Sequence, residues 1–323
     1  MANLTPRRRF KHEGELWLAR WLHRFYALWP RSLEASGPPK FVSHVFGEAG
    51  LNPQPIPPII WAYWNSADMP LVVQRCIARW RVLHPHFSIR VLDDETLFQY
   101  VPALPPGLMQ QSTTRRADWL RLELLLRYGG IWLDASIILT EPLDWVLRLQ
   151  QKAQSDFIGY DLALYTSDPA RPVVENWFLA APPASPFIAD LQREFTTEVI
   201  PRSGEDYVAT LQSSGIYEQL RQHIDMPDYL SMHLAIQRLL LAGGRYRLHL
   251  GRAEEGPYFL HVLGGWRRTP LKLRLLFSRI TGAVPPLIKL RSPDRKRLGD
   301  YLERGLYLPD SVAGRYLSAP DGH

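Results

Sequence analysis

Three charged residues define the chemistry open to this chain. Asp118 and Arg121 lie three apart, and Asp134 follows sixteen positions after Asp118, all within DWLRLELLLRYGGIWLDASIILTEP, residues 118–142. A three-residue offset on a helix puts two side chains on one face. A carboxylate at the end of a buried strand sits where open α/β sheets bind ligands. Together these residues predict two carboxylates and a guanidinium around one strand end. Such a carboxylate binds a hard divalent cation, with substrate phosphates completing the shell.

The elements that must hold them are legible nearby. Residues 113–128 carry apolar residues at helical spacing without Pro or Gly, and predict a helix. Gly129-Gly130 ends it, because Gly accepts the positive φ of a helix C-terminus. Residues 131–133 then read as a short buried strand stopping at Asp134, and Ile137 to Leu139 as a second apolar run. Upstream, IIWAYW (59–64) predicts a first strand, with Trp61 and Tyr63 on one side and Trp64 opposite. Helix is expected over 70–83, strand over 87–92, and helices over 143–149, 186–199, 207–223 and 230–241. Strand is expected over 157–160. The alternation indicates an α/β fold. Asp93-Asp94-Glu95 sits where a helix would start and reads as N-capping and dipole matching.

At these residues the chain resembles the capsular polysaccharide synthesis type of glycosyltransferase. That type is related to the wider group with a DXD sugar-binding region, which includes initiating mannosyltransferases and the glucosyltransferase domains of large clostridial toxins. The shared pattern is an Asp, an Arg three later, Tyr-Gly-Gly, and a hydrophobic strand ending in Asp-x-Asp. Here it reads Asp118, Arg121, Tyr128-Gly129-Gly130 and Asp134-Ala135-Ser136. Ser136 stands where the wider group has its second Asp, a departure that favours the capsular subgroup and weakens the ligand set for a metal.

The resemblance covers roughly residues 55–295 and implies a GT-A-type, Rossmann-like domain with a mixed central sheet and added helices. It implies transfer of a sugar from a nucleotide-sugar to a saccharide or lipid-linked saccharide, with retained anomeric configuration and no protein nucleophile assigned. Asp118, Arg121 and Asp134 become the expected catalytic cluster. Trp61, Tyr63, Trp64 and Asn65 fall where the nucleotide base would lie, and an aromatic face there can stack on a base. Asn176, in ENWFLAA, matches an Asn-containing strand that would meet a sugar hydroxyl. Lys289 matches a Lys-Leu near the family's end and would neutralise the departing diphosphate. Manganese or magnesium is implied, on Asp134 and Ser136. His261, read as ending an apolar strand, would supply an imidazole ligand.

Composition bounds the rest. The chain has 323 residues, 46% hydrophobic and 22% charged, which suffices for a large core. Net charge +6 suits anionic partners, and no nucleic-acid module is recognisable. A single cysteine, Cys76, excludes an intrachain disulfide or a zinc–cysteine cluster and reads as a buried thiol. No apolar h-region and no run near ~20 apolar residues is present, so the expectation is a cytoplasmic protein.

Residues 1–12, with Arg7-Arg8-Arg9 and Lys11, are expected to be mobile. Residues 13–29 predict an amphipathic helix bearing Trp17, Trp21, Phe25 and Trp29, the pattern of a helix lying at a membrane interface. Residues 30–58 read as a Pro-rich linker and residues from 309 as a loose tail. The expected division is 1–54, helix and linker; 55–295, transferase domain; 296–323, tail. Two other readings compete. A degenerate sugar- or nucleotide-binding protein at the membrane is favoured by Ser136, and a glycoside hydrolase would use Asp118 and Asp134 as paired carboxylates.

Overall fold

The computed structural model describes residues 6–34, 37, 39–48, 50 and 53–319. The side chains of residues 6–12 lie outside that description. Eleven strands are described: β1 (Arg31–Leu33), β2 (Phe41–Phe46), β3 (Ile59–Tyr63), β4 (Ser88–Leu92), β5 (Gly130–Leu133), β6 (Ile138–Leu139), β7 (Phe157–Asp161), β8 (Val174–Ala181), β9 (Tyr246–Arg252), β10 (Ser278–Ile280) and β11 (Leu287–Ile288). Three helices recur below: α1 (Pro6–Leu28), α2 (Leu71–Leu83) and α3 (Thr113–Tyr128).

Seven strands form one mixed sheet in the order β2-β9-β7-β8-β5-β3-β4. β3, β4 and β5 run parallel, so their carboxyl ends meet at one edge. β8 runs antiparallel to β5, so its beginning, not its end, reaches that same edge. Strand alternation divides the core in two. Ile60, Ala62, Ile131 and Leu133 pack on the face covered by α2 and the C-terminal helices. Trp61, Tyr63 and Trp132 pack on the face covered by α3 and the helix Ser231–Ala242. The α/β class with a mixed sheet is as expected.

The turn between α3 and β5 depends on its glycines. Gly129 has φ 63° and ψ −165°, and its N–H caps the Leu125 carbonyl at 2.9 Å. Gly130 has φ 107°, and a Cβ there would lie 2.7 Å from the Ile59 carbonyl. Only glycine fits both the torsions and the approach to β3, and this close packing lands β5 beside β3 with Asp134 at its end.

Several expectations give way. The presumed linker contributes β1 and β2, and β2 is the outer strand of the main sheet, paired antiparallel with β9 over six residues. The presumed tail folds as a helix, Val312–Leu317, with Val312, Ala313 and Leu317 buried. The single helix read over 207–223 is two, Gly204–Ser213 and Tyr217–Arg221, separated at Gly215, which has φ 74°. Within the stretch expected to be mobile, residues 1–5 lie outside the described residues and α1 begins at Pro6.

Candidate active site

A cleft of about 880 Å³ opens at the shared strand edge. Asp118, Arg121, Asp134, Ser136, Asn176 and Lys289 all line it, with Tyr63, Trp64 and Asn65. Trp61 and His261 do not.

Arg121 is the clasp of the cluster. It is 4% exposed. Its Nη2 lies 3.1 Å from Asp118 Oδ1 and 3.5 Å from Asp134 Oδ1. Its Nη1 donates to the Asn176 carbonyl and its Nε to the Ala117 carbonyl at 3.2 Å. The guanidinium also lies over the Trp132 ring, 5.0 Å from its centroid. A planar fork with five donors suits this fixed, many-partnered position. Asn176 Nδ2 donates to Asp118 Oδ1 at 3.1 Å, so the Asn expected to meet a sugar also holds the buried carboxylate.

The two carboxyls feel different fields. Burial pushes Asp118 above its ordinary range, opposed by Arg121 and reinforced by Asp134. Burial works the same way on Asp134, but Lys289 and Arg121 outweigh it and hold that carboxyl below its usual value. Lys289 itself is pushed down by burial, with Asp134 resisting.

Lys289 arrives by tertiary pairing. β6 and β11 form a two-stranded antiparallel ladder, Leu139 against Leu287 and Ile138 against Ile288. Because β6 follows Asp134 and Lys289 follows β11, that ladder sets Lys289 Nζ 2.5 Å from Asp134 Oδ2. Trp132 Nε1 donates to Asp134 Oδ1 at 3.3 Å. Both oxygens of Asp134 are therefore already engaged, one by an ammonium.

The expected metal set does not assemble. His261 lies in a helix, Phe259–Leu263, not at a strand end. It is completely buried, with Nε2 2.9 Å from Asp294 Oδ2. Asp294 in turn accepts the Arg291 N–H at 2.9 Å, so His261 braces the turn carrying Arg291 and Arg295 from behind. Among the described residues, no group of three or more His, Cys, Asp or Glu could hold a metal ion. Of the expected donors only Asp134, a carboxylate bonded to an ammonium, and Ser136, a buried hydroxyl, line the cleft, and that pair does not fit manganese or magnesium.

Trp61 likewise serves the core. It is 2% exposed, its Nε1 donates to the Gly129 carbonyl at 2.9 Å, and it packs on Tyr100 and Tyr128. Tyr63 reaches the cleft rim and its hydroxyl donates to Asp94, which also pairs with Arg116 at 2.9 Å. Asp93 Oδ1 accepts the N–H groups of Glu95 and Thr96, closing the turn ahead of the short helix Leu97–Gln99, whose N-cap is Thr96; of the acidic run expected to cap a helix, Asp93 alone takes a capping-like part.

Other lining residues left no local signal in the sequence. Glu175 and His233 are both buried and face each other, with Nε2 3.6 Å from the carboxylate. Asp225 and Tyr229 line the cleft as well. Arg291 and Arg295 follow Lys289 at short intervals, a basic spacing that could have flagged them. The Arg291 guanidinium lies over Trp266 at 5.5 Å, and that of Arg295 over Trp64 at 5.9 Å.

At the end of β7, burial pushes the Asp161 carboxyl up to about 6, with Arg252 opposing and Glu254 adding to the rise. A raised carboxyl destabilises the fold once ionised: the penalty is absent below the unfolded value and complete above pH 6. Asp161→Asn is expected to stabilise the protein by about 1–3 kcal/mol at pH 8 and by almost nothing at pH 3.5. Thermal melts across that range will show the gain growing with pH, and a gain independent of pH would refute it.

The sequence profile of the capsular polysaccharide synthesis protein family matches residues 46–250. O-glycosyltransferase PaGT of Phomopsis amygdali is 28% identical over 138 residues, 37% of this chain and 34% of the relative. O-glycosyltransferase braB of Annulohypoxylon truncatum is 32% identical over 151 residues, 40% of this chain and 34% of the relative. The chain thus matches about a third of the length of these curated relatives. Among solved structures, a galactosyltransferase LgtC complex with donor and acceptor sugar analogs overlaps 81% of this chain and 98% of its own, at TM-score 0.38 and 12% identity. The PaToxG glycosyltransferase overlaps 83% and 88%, at TM-score 0.35 and 13% identity. With its family profile matched over most of its length, the chain belongs to the capsular polysaccharide synthesis protein family.

Proposed function

We propose that this protein is a GT-A-type glycosyltransferase that moves a sugar from a nucleotide-sugar to a saccharide or lipid-linked saccharide in surface polysaccharide assembly. The observation carrying this reading is the Asp118–Arg121–Asp134 cluster, with Asp118 and Arg121 buried and Asp134 half-buried at the strand edge of a large cleft, where Lys289 joins it. In the transfer, the bond from the anomeric carbon to the diphosphate oxygen breaks and its electron pair leaves with the diphosphate. The acceptor oxygen forms the new bond, and its proton passes to the released diphosphate. Positive groups fixed in a water-poor site stabilise that departing charge. In this reading Asp118, held by Arg121 and Asn176, accepts hydrogen bonds from donor hydroxyls, and Trp64 and Asn65 flank the base.

The test is nucleoside diphosphate release from a panel of nucleotide-sugars, with and without simple glycoside acceptors. Release with one donor supports transfer, and NMR of the early product is expected to show the retained anomer. Binding without any release would favour the degenerate binding protein that Ser136 suggests. Glycoside cleavage with no nucleotide would favour a hydrolase.

The membrane part of the reading rests on α1. Leu16 and Ala19 are buried, while Trp17, Leu18, Trp21, Phe25, Leu28 and Trp29 are exposed beside Arg20 and Arg24. No helix among the described residues is long and apolar enough to cross a membrane. An exposed aromatic face edged with arginines suits anionic lipid at an interface. The helix cannot simply be removed, because Tyr26 stacks on Phe277 and Glu15 pairs with Arg297. Replacing Trp17, Trp21 and Trp29 together by Ser is expected to reduce co-sedimentation with phosphatidylglycerol vesicles about tenfold or more. Unchanged sedimentation would remove the membrane from the reading.

A further inference from the structure

The donor set around Asp134 disagrees with a metal-dependent site, and the disagreement has a structural cause. A divalent cation at Asp134 would need an oxygen that Lys289 Nζ already occupies at 2.5 Å. The other oxygen faces Arg121 and Trp132. Lys289 is 8% exposed and its ammonium lies 5.6 Å from the Trp177 ring centroid, so it has little room to withdraw. The second acidic position of the wider motif is Ser136, a weak ligand that is itself buried.

Two further cations share this wall. Arg295 lines the cleft, and among the described residues its guanidinium makes no ion pair and its buried Nε has no hydrogen-bond partner. Arg291 lines the cleft too, its Nε 3.5 Å from Asp294. A buried guanidinium donor without a partner is costly unless a ligand supplies one. An ammonium retains donors beyond the one it spends on Asp134, and a guanidinium fork matches phosphate oxygens. All three residues lie on one segment, 289–295, beyond the part of the chain the family profile matches.

We propose that Lys289 stands in the place of the divalent cation, and that Lys289, Arg291 and Arg295 together hold the diphosphate of the donor, so that donor binding needs no metal. The inference rests on the transferase reading above and deepens it. Asp134 in this arrangement is a positioning residue: it fixes the ammonium and touches no metal.

Calorimetry of the full chain with UDP, GDP and ADP, in excess EDTA and in excess manganese, tests the proposal. One nucleotide is expected to bind with the same Kd in both buffers, within about twofold. Lys289→Met and Arg295→Met are each expected to weaken it about tenfold to a hundredfold, the worth of one charge-assisted contact. Arg295 makes no ion pair among the described residues, so its variant keeps the test alive if Lys289→Met fails to fold. Manganese alone, titrated and read by paramagnetic resonance, is expected to show no stoichiometric site that Asp134→Asn removes. Nucleotide binding only with manganese would overturn this proposal and leave the transferase intact. Metal-free binding unaffected by either substitution would also overturn it. No binding under either condition would overturn both.

Discussion

Arg121→Met is expected to cost about 3–5 kcal/mol of folding stability, the penalty for removing one partner from a buried ion pair. The guanidinium answers two carboxylates at 3.1 and 3.5 Å and two carbonyls, and sits on Trp132. Without it, Asp118 at 5% exposure keeps the Asn176 amide as its one hydrogen-bond partner among the described residues. Arg121→Lys is expected to recover little, because an ammonium cannot span those directions at once. Urea denaturation will measure the loss. Adding Asp118→Asn to Arg121→Met is expected to return part of it, since the stranded charge goes too. A loss below about 1 kcal/mol would mean that the cluster is a solvated ion pair rather than the frame of the site.

The second large effect concerns turnover rather than stability. Asp134→Asn keeps the shape of the side chain and removes its charge. It is expected to lower kcat about 10²–10³-fold, as removal of one aligned electrostatic group does. Nucleoside diphosphate affinity is expected to hold or to tighten, because Lys289 loses the carboxylate that competes with phosphate for its donors. A metal site predicts the reverse, with nucleotide affinity lost together with the metal. Measuring kcat and Kd on the same preparation separates the two accounts. A melting curve guards against misfolding, because Lys289 is left buried without its counter-charge.

The pH behaviour of the cluster follows from the same pairs. Asp134 is held ionised below the usual carboxyl value by Lys289 and Arg121 against burial. Its contribution to stability is therefore present above the unfolded value and lost as pH falls through the lower folded one. Asp161 runs the opposite way and loses stability as pH rises toward 6. The two carboxyls therefore act at opposite ends: Asp134 costs stability as pH falls below the ordinary carboxyl range, and Asp161 as pH rises toward 6.

What could be read from the sequence was local. The helix over 113–128, its Gly-Gly stop and the strand ending at Asp134 follow from periodicity, from torsions only glycine adopts, and from a short apolar run. Asp118 and Arg121 share a face because of helical pitch alone. The errors have equally definite causes. Strand parity put Trp61 with Tyr63 on one side, correctly, but parity says nothing about height along the strand. Two residues is about 6.6 Å of rise, enough to leave Trp61 in the core beneath Gly129 while Tyr63 reaches the rim. The run around His261 is too short for periodicity to tell helix from strand. It folds as a helix and spends its imidazole on Asp294. The Pro-rich stretch before residue 58 looked like a linker because its strand, β2, is paired only through a partner two hundred residues away.

By itself, then, the sequence determined the α/β class and the Asp118–Arg121–Asp134 triplet, because short-range geometry places those groups. It also presented the Lys289 side chain, but not its partner. Only the tertiary structure decided that this ammonium meets Asp134 across 155 positions, that Arg291 and Arg295 share its wall, and that His261 stands behind them. Those meetings depend on the β6–β11 ladder and on the packing of the C-terminal helices. Such long-range pairing is fixed by the summed burial of a whole core, which no local window of residues contains.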